Sequence, residues 1–357
     1  MLPFVVLLLT PILLQHIRIK GIDYQKKNEF AITLFLVGLT VLVMFRHASV
    51  GTDTYSYLLS FEQVDSVKWN DLNEYYSSEV GFWYLMKTIS LISSQPQFFL
   101  IVTAIMISAM IIPTYRRLCL DASLTIVLFC TMSTFVMMFS GIRQMIAVAI
   151  GFIAYELTRR KKLVAFLIVV IIAIMFHSSA FMLLFMYPLF HVKITKKWLY
   201  FVVPVMVVIF IFNRPFFASL SFLLEKYSRF DSEISSTGSY TMLILFVFFA
   251  VFSFLVVDEE KIDSETLGLR NFLLFAIVIQ MFAPLHTLAM RMNYYYIIFI
   301  PLLLPRIIAL RKDRWKQVVV VSRHIMVVFF LAYFFVFAYT GGALRVFPYH
   351  FFWENVI

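Results

Sequence analysis

Charge is scarce in this chain, and with it most of what a soluble enzyme needs. Its 357 residues include 30 Lys and Arg and 20 Asp and Glu, so 14 % are charged, where a soluble domain carries about a quarter. With 62 % hydrophobic residues and a mean hydropathy of +0.90, this excludes a water-soluble globular fold. Cysteine is nearly missing: Cys119 and Cys130 are the only two. On one helix they would lie ~16 Å apart, so no disulfide or thiolate metal site is expected. No G-x-x-x-x-G-K-[ST] loop supports an ATP-driven pump. No H-E-x-x-H pair and no acidic cluster at metal-ligand spacing is found, so neither metal nor cofactor is expected. No chain of carboxylates within the spans suggests a proton relay. Repeats, low-complexity stretches and linkers are also lacking, which predicts one membrane domain over residues 1–357.

What the chain has instead is apolar runs of membrane-spanning length. They fall at roughly 2–16, 29–45, 97–115, 122–139, 142–158, 163–177, 178–192, 197–212, 239–257, 270–289, 293–309 and 317–340. The expectation is an all-α polytopic membrane protein of about twelve transmembrane helices. The opening MLPFVVLLLTPILLQHIRIK reads as a span and not as a secretory signal, lacking a basic leader and an A-x-A site. GFWYLMKTISLISS (81–94) is read as a re-entrant or interfacial helix, because a further crossing there would break the charge pattern.

The formal charge of +10 needs no nucleic-acid partner. Basic clusters occur at Arg18/Lys20/Lys26/Lys27, Arg116/Arg117, 159–162, Lys193/Lys196/Lys197 and 311–316, with an even number of spans between neighbours. The positive-inside rule places all of them in the cytoplasm. Both termini, the loops 46–80 and 213–238, and the turns near 140, 177 and 291 then lie outside. Residues 122–158 as one helix would measure ~55 Å, too long for a ~30 Å core. A hairpin at Ser140-Gly141 is therefore expected, which puts Arg143 at the outer boundary, with Gly141 easing the turn.

That outer face collects Arg46 and His47, Asp53 in GTDTY, Glu79, Arg143 and Gln144, His177, His286 and Arg291, and Arg345, Tyr349 and His350. Arginine outside runs against the topogenic rule. Guanidinium keeps its charge at any pH and holds phosphate oxygens bidentately, so a lipid-linked phosphate or pyrophosphate suits this depth. The N-terminal dipole of a helix starting after Gly141 would add to the attraction. Each residue alone has a plainer reading. An arginine at a span end can be a snorkelling anchor, Asp53 a helix cap, His177 a partner for carbonyls at a helix break, and Tyr294–Tyr296 an interfacial belt. Convergence on one face is what favours a site.

The ordered elements also carry a resemblance. RHASVGTDTYSYLLSFEQ (46–63), SEVGFWYL (78–85), SGIRQMIAVAI (140–150), FHSSAF (176–181), RMNYYY (291–296) and RVFPYHFFWEN (345–355) resemble, in order, the signatures of the EpsG-like proteins, a branch of the Wzy-type polysaccharide polymerases. The Glu79 element departs from the pattern in having valine before its glycine. The resemblance implies a multi-pass bacterial inner-membrane glycosyltransferase with a GT-C-like helical fold and no metal. It would polymerise O-antigen or exopolysaccharide repeat units held on undecaprenyl pyrophosphate, among membrane lipids and beside a chain-length regulator. Arg143, Arg291, His177 and Asp53 are then the candidate catalytic residues. Arg46, Gln144, Glu79, Arg345, Tyr294 and Tyr349 are the candidate substrate contacts. Two rivals share the pyrophosphate chemistry: a lipid-linked oligosaccharide flippase, which should show repeat-related halves and cations on the cytoplasmic side, and an O-antigen ligase, which differs only in its acceptor.

Overall fold

The computed structural model describes residues 1–17, 23–72, 79–223, 236–340 and 344–355. Arg18, Lys20, Ser78 and the charged stretch 225–233 of the expected loop 213–238 lie outside the described residues. Helix dominates throughout, and the only strand-like pairings described are two isolated bridges. The helices group into two compact units: Met1–Leu184 with Val320–Ile357, and Phe185–Val319.

In the first unit the chain runs α1 (Leu2–His16), α2 (Tyr24–Met44), α3 (Thr54–Val64), α4 (Val80–Ser90), α5 (Pro96–Leu118), α6 (Ala122–Thr131), α7 (Ser133–Ser140), α8 (Ile142–Arg159) and α9 (Leu163–Phe176). Helix α8 is the centre: Gln144 through Phe152 are all buried, and it packs on α9 and α5. Helix α9 shows how the unit meets its solvent. Phe166, Val170 and Ala173 face inward, while Val164, Ile168 and Ile171 are more than half exposed although apolar. A helix apolar all round with one greasy face bare is built for lipid.

The expected spans all contain helix, but not all as single straight rods. Among the described residues three helices are long and apolar enough to cross a membrane by themselves, or five spans if two bent pairs are each counted once. The expected span 122–139 is one such pair: α6 and α7 diverge by 65° at Met132, whose backbone is extended (φ −75°, ψ 145°). The expected span 178–192 begins as a 3-10 run, Ser178–Phe185, because His177 is extended and its carbonyl takes the Ala180 amide. Helix α4 has 11 residues, ~16 Å, too short to cross a bilayer, in keeping with the re-entrant reading.

One end of the unit is tied by polar side chains. Gln15 donates to Asn28 at 2.6 Å, and each accepts a free amide at the start of α6, from Ser123 and Ala122 respectively. Helix α17 (Lys316–Tyr339) enters the unit there through Arg323, which grips Asp121 bidentately at 2.6 and 2.9 Å. At the opposite end the C-terminal segment is pinned by rings. Phe347 and Tyr349 meet Phe4 edge-on at 4.9 and 5.5 Å, inside a cluster with Phe135, Phe139 and Phe334.

The second unit contains α10 (Met186–His191), α11 (Lys196–Ile211), α12 (Asn213–Leu223), α13 (Ser236–Val256), α14 (Ser264–Gln280), α15 (Thr287–Ile297) and α16 (Ile300–Ala309). Its core helix is α14. Asn271 donates to the Leu189 and Val192 carbonyls at 2.8 and 2.6 Å, and Arg270 pairs with Glu259. Cys119 and Cys130 are both free and buried in the first unit.

Candidate active site

Five separate stretches of the first unit meet at the end pinned by the aromatic cluster. They are the loop 46–53, Glu79, the α7–α8 turn, the α9 terminus at His177, and the segment 344–354.

The loop 46–53 is held mainly by backbone. Gly51 and Thr52 donate to the carbonyls of Arg345 and Leu344, both at 3.0 Å. His47 donates to His350, and Phe352 to Phe45, both at 2.9 Å. Gly51 has φ +89°, and a Cβ there would sit 2.1 Å from the Phe139 carbonyl oxygen. This is where the GTDT sequence needs its glycine, for both conformation and approach. The hydroxyls of Thr52 and Ser140 meet at 2.7 Å, which joins the loop to the end of α7.

Gly141 behaves otherwise than expected. Its φ of −90° with ψ 68° lies outside the left-handed region, near the inverse γ-turn. An added Cβ would meet only the mobile end of Met137. The break between α7 and α8 therefore does not depend on glycine's freedom, since L-residues tolerate this backbone conformation.

The centre is a carboxylate between an arginine and a histidine. Arg143 Nη1 donates to Glu79 Oε2 at 2.6 Å, and His177 Nδ1 lies 2.6 Å from Glu79 Oε1. The Ser178 amide donates to Oε1 at 3.2 Å. Arg143 Nε donates to the Tyr57 hydroxyl at 3.3 Å, and its guanidinium lies 5.6 and 5.8 Å from the Tyr57 and Phe82 rings, within cation–π range. Burial by itself would push the Glu79 carboxyl up. The His177 hydrogen bond and charge, then Arg143 and the Ser178 amide, outweigh it and hold Glu79 below the usual carboxylate range. The buried Tyr57 hydroxyl is pushed up.

Two features make this arrangement informative. Glu79 sits in the left-handed region (φ 59°, ψ 44°), which costs a non-glycine residue roughly 1 kcal/mol. Arg143 stands in the first turn of α8, where the helix dipole repels a cation, and the helix has no side-chain cap. Both penalties are borne to bring one carboxylate between an arginine and a histidine. Glu79 is 8 % exposed, whereas Arg143 is 33 % exposed and its Nη2 has no hydrogen bond among the described residues. His177 Nε2 likewise has no partner among them.

The other expected residues take different positions. Arg46 is enclosed: it donates to Thr54 Oγ1 at 3.2 Å and to the Val43 carbonyl at 2.5 Å, and its Nη2 has no partner among the described residues. Burial lowers it to about 10, so it stays charged at neutral pH. Tyr349 is buried and donates to the Leu42 carbonyl at 2.8 Å. Here these two brace the loop from within. Asp53 occupies the N-cap of α3 without making a cap bond, and its amide donates to Ser140 Oγ at 3.3 Å. Gln144 is buried on α8, and Arg345 is exposed, contributing its carbonyl to Gly51. Arg291 (exposed) and Tyr294 (buried) belong to α15 of the second unit, as does His286, whose Nδ1 caps that helix by accepting from Leu288.

Tyr57 and Ser140 are the functional neighbours that sequence reasoning did not single out. For Tyr57 a signal existed. Thr54, Tyr57, Phe61 and Val64 fall at i, i+3, i+7 and i+10, the spacing of the buried face of α3.

The whole chain also bears comparison with known proteins and families. No curated protein and no solved structure matches the sequence. One family model does, over residues 29–351, a stretch that takes in Arg46, the GTDT loop, Glu79, Arg143, His177, Arg291 and the tail as far as Phe351. Its members are membrane proteins of the polysaccharide-polymerase type. This chain belongs to the EpsG family.

Proposed function

We propose that this protein joins lipid-linked oligosaccharide repeat units at the outer face of a bacterial inner membrane. In this reading a hydroxyl of one repeat unit attacks the anomeric carbon of a growing glycan carried on undecaprenyl pyrophosphate. The new C–O bond forms as the bond from C1 to the pyrophosphate oxygen breaks. The pyrophosphate departs with the electron pair, and the hydroxyl proton passes to a base.

The observation that carries the proposal is the Arg143–Glu79–His177 cluster. His177 Nδ1 lies 2.6 Å from Glu79 Oε1; in this reading its proton faces that carboxylate, and the Nε2 lone pair is the base for the acceptor hydroxyl. Glu79 also holds Arg143 by one nitrogen and leaves Nη2 for a departing pyrophosphate oxygen. Glu79 is thus a positioning residue, and His177 and Arg143 are the groups that touch substrate. Asp53, His177's rival for the base, lacks such a partner.

The test is reconstitution of the purified protein with lipid-linked repeat units as the sole substrate. A ladder of chain lengths identifies a polymerase. Products only when a second, different acceptor is added indicate a ligase, and no glycan product in either arm refutes the reading. Arg143→Ala should leave the protein folded and the substrate as single units.

A further inference from the structure

Within the second unit a cavity of about 720 Å³ lies between the segment following α10 and the start of α14, well inside the range of small-molecule sites. Its walls carry Lys193, Thr195, Lys197, Glu259, Ser264 and Arg270. These residues belong to the side that the charge pattern assigns to the cytoplasm, and none is part of the cluster proposed for catalysis.

The charges of the cavity do not balance. Glu259 is fully engaged: Arg270 holds its two oxygens at 2.8 and 3.0 Å. Arg270 is wholly buried, donates also to the Ile194 carbonyl at 3.2 Å, and lies 4.0 Å from the Phe254 ring centre. Its Nε is buried without a hydrogen-bond partner. The arginine therefore fastens the 193–197 segment to the 259 turn and forms a fixed wall. Lys193 and Lys197 are left exposed, and neither has an ion-pair partner among the described residues. Elsewhere in this unit Lys261 pairs with Asp258 at 3.2 Å and Arg306 with Asp263 at 2.8 Å, while Lys312 and Lys316 resemble Lys193 and Lys197 in having no ion pair among the described residues but do not line the cavity. The positive-inside rule accounts for lysines on this side. It does not account for two of them lining one concavity with the Thr195 and Ser264 hydroxyls and an arginine wall.

We propose that this cavity is a second binding site, for a phosphate-bearing anion, with Lys193 and Lys197 as its ammonium contacts and Thr195 and Ser264 as hydroxyl donors. A diphosphate or phosphate monoester from solution and the phosphodiester headgroup of a bilayer lipid share this chemistry. The site does not depend on the reaction proposed above.

The full-length protein in nanodiscs of phosphatidylcholine supplies the test, with the thermal unfolding midpoint as readout. Every protein compared carries Arg143→Ala, which removes the pyrophosphate contact proposed at the candidate active site; one arm adds inorganic pyrophosphate, and the other replaces part of the lipid with phosphatidylglycerol. This parent protein should gain a higher midpoint in at least one arm. The Lys193→Gln/Lys197→Gln variant should lose that gain while keeping its midpoint in neutral discs. A Lys161→Gln/Lys162→Gln control, altering exposed lysines of the first unit, should keep it. A gain only with phosphatidylglycerol assigns the site to a lipid headgroup, and a gain with pyrophosphate assigns it to a soluble phosphate. No gain in either arm, or a gain that the Lys193/Lys197 variant retains or the control also loses, overturns the proposal.

Discussion

Replacing Glu79 by Gln is the sharpest perturbation of the candidate site, because it keeps the volume and removes one charge. The carboxylate accepts at 2.6 Å from Arg143, stands 2.6 Å from His177 Nδ1 and accepts the Ser178 amide. An amide offers a single oxygen, so only one side can still be served well, and its NH2 must face a donor. One charge-assisted contact is lost and one is weakened, at roughly 1.5–3 kcal/mol for a full contact. A loss of about 2–4 kcal/mol in transition-state stabilisation corresponds to roughly thirty- to a thousand-fold in rate. The assay is the time course of ladder formation from purified lipid-linked repeat units, beside a thermal scan that establishes folding. A folded Glu79→Gln protein polymerising at the wild-type rate would falsify the claim that this carboxylate organises the site. The stability of the same pair of proteins has a signed pH dependence. Glu79 is depressed in the folded state, so its stabilisation is present above its ordinary value of 4.5 and is lost as pH falls through the lower folded value. The midpoint difference between wild type and Glu79→Gln should be constant from neutral pH down to mildly acid conditions, then shrink below that value.

Gly51→Ala should abolish accumulation of folded protein, since the new methyl meets the Phe139 carbonyl and Thr54 at a backbone angle alanine rarely adopts; Gly141→Ala, facing only Met137, should fold, and membrane expression levels compare the two. Asp121→Asn leaves Arg323 short of its charge partner in a mostly buried pair and should cost on the order of 3 kcal/mol, read as a lower unfolding midpoint in detergent. Tyr349→Phe removes the bond to the Leu42 carbonyl and should cost about 1 kcal/mol; polymer length should be unchanged, and a variant that folds normally but makes no ladder would mean Tyr349 does more than brace the loop.

Much of this molecule is legible in one dimension because the membrane imposes one-dimensional rules. Hydrocarbon demands that each crossing satisfy its own backbone, so apolar runs mark the helices nearly one for one. The helix break at Ser140-Gly141 and the separateness of α4 follow from length and hydropathy counted along the chain, and the candidacy of Arg143 and His177 from charge and placement. Breaks within spans were not legible. The bend at Met132 leaves hydropathy untouched, since an extended methionine is as oily as a helical one.

Composition and pattern alone therefore determined that this is a helical membrane protein with an unusual set of polar residues between its spans. Only the tertiary structure decided which of them touch. Glu79, whose motif departs from the family pattern, became the hub, because a carboxylate's value lies in what comes within 3 Å of it and its two main partners are 64 and 98 residues further along the chain. Arg46 and Tyr349 moved from the surface to the interior for the same reason. Whether a polar side chain meets water or a neighbouring carbonyl depends on how the tail folds back, and that is a property of the packed chain.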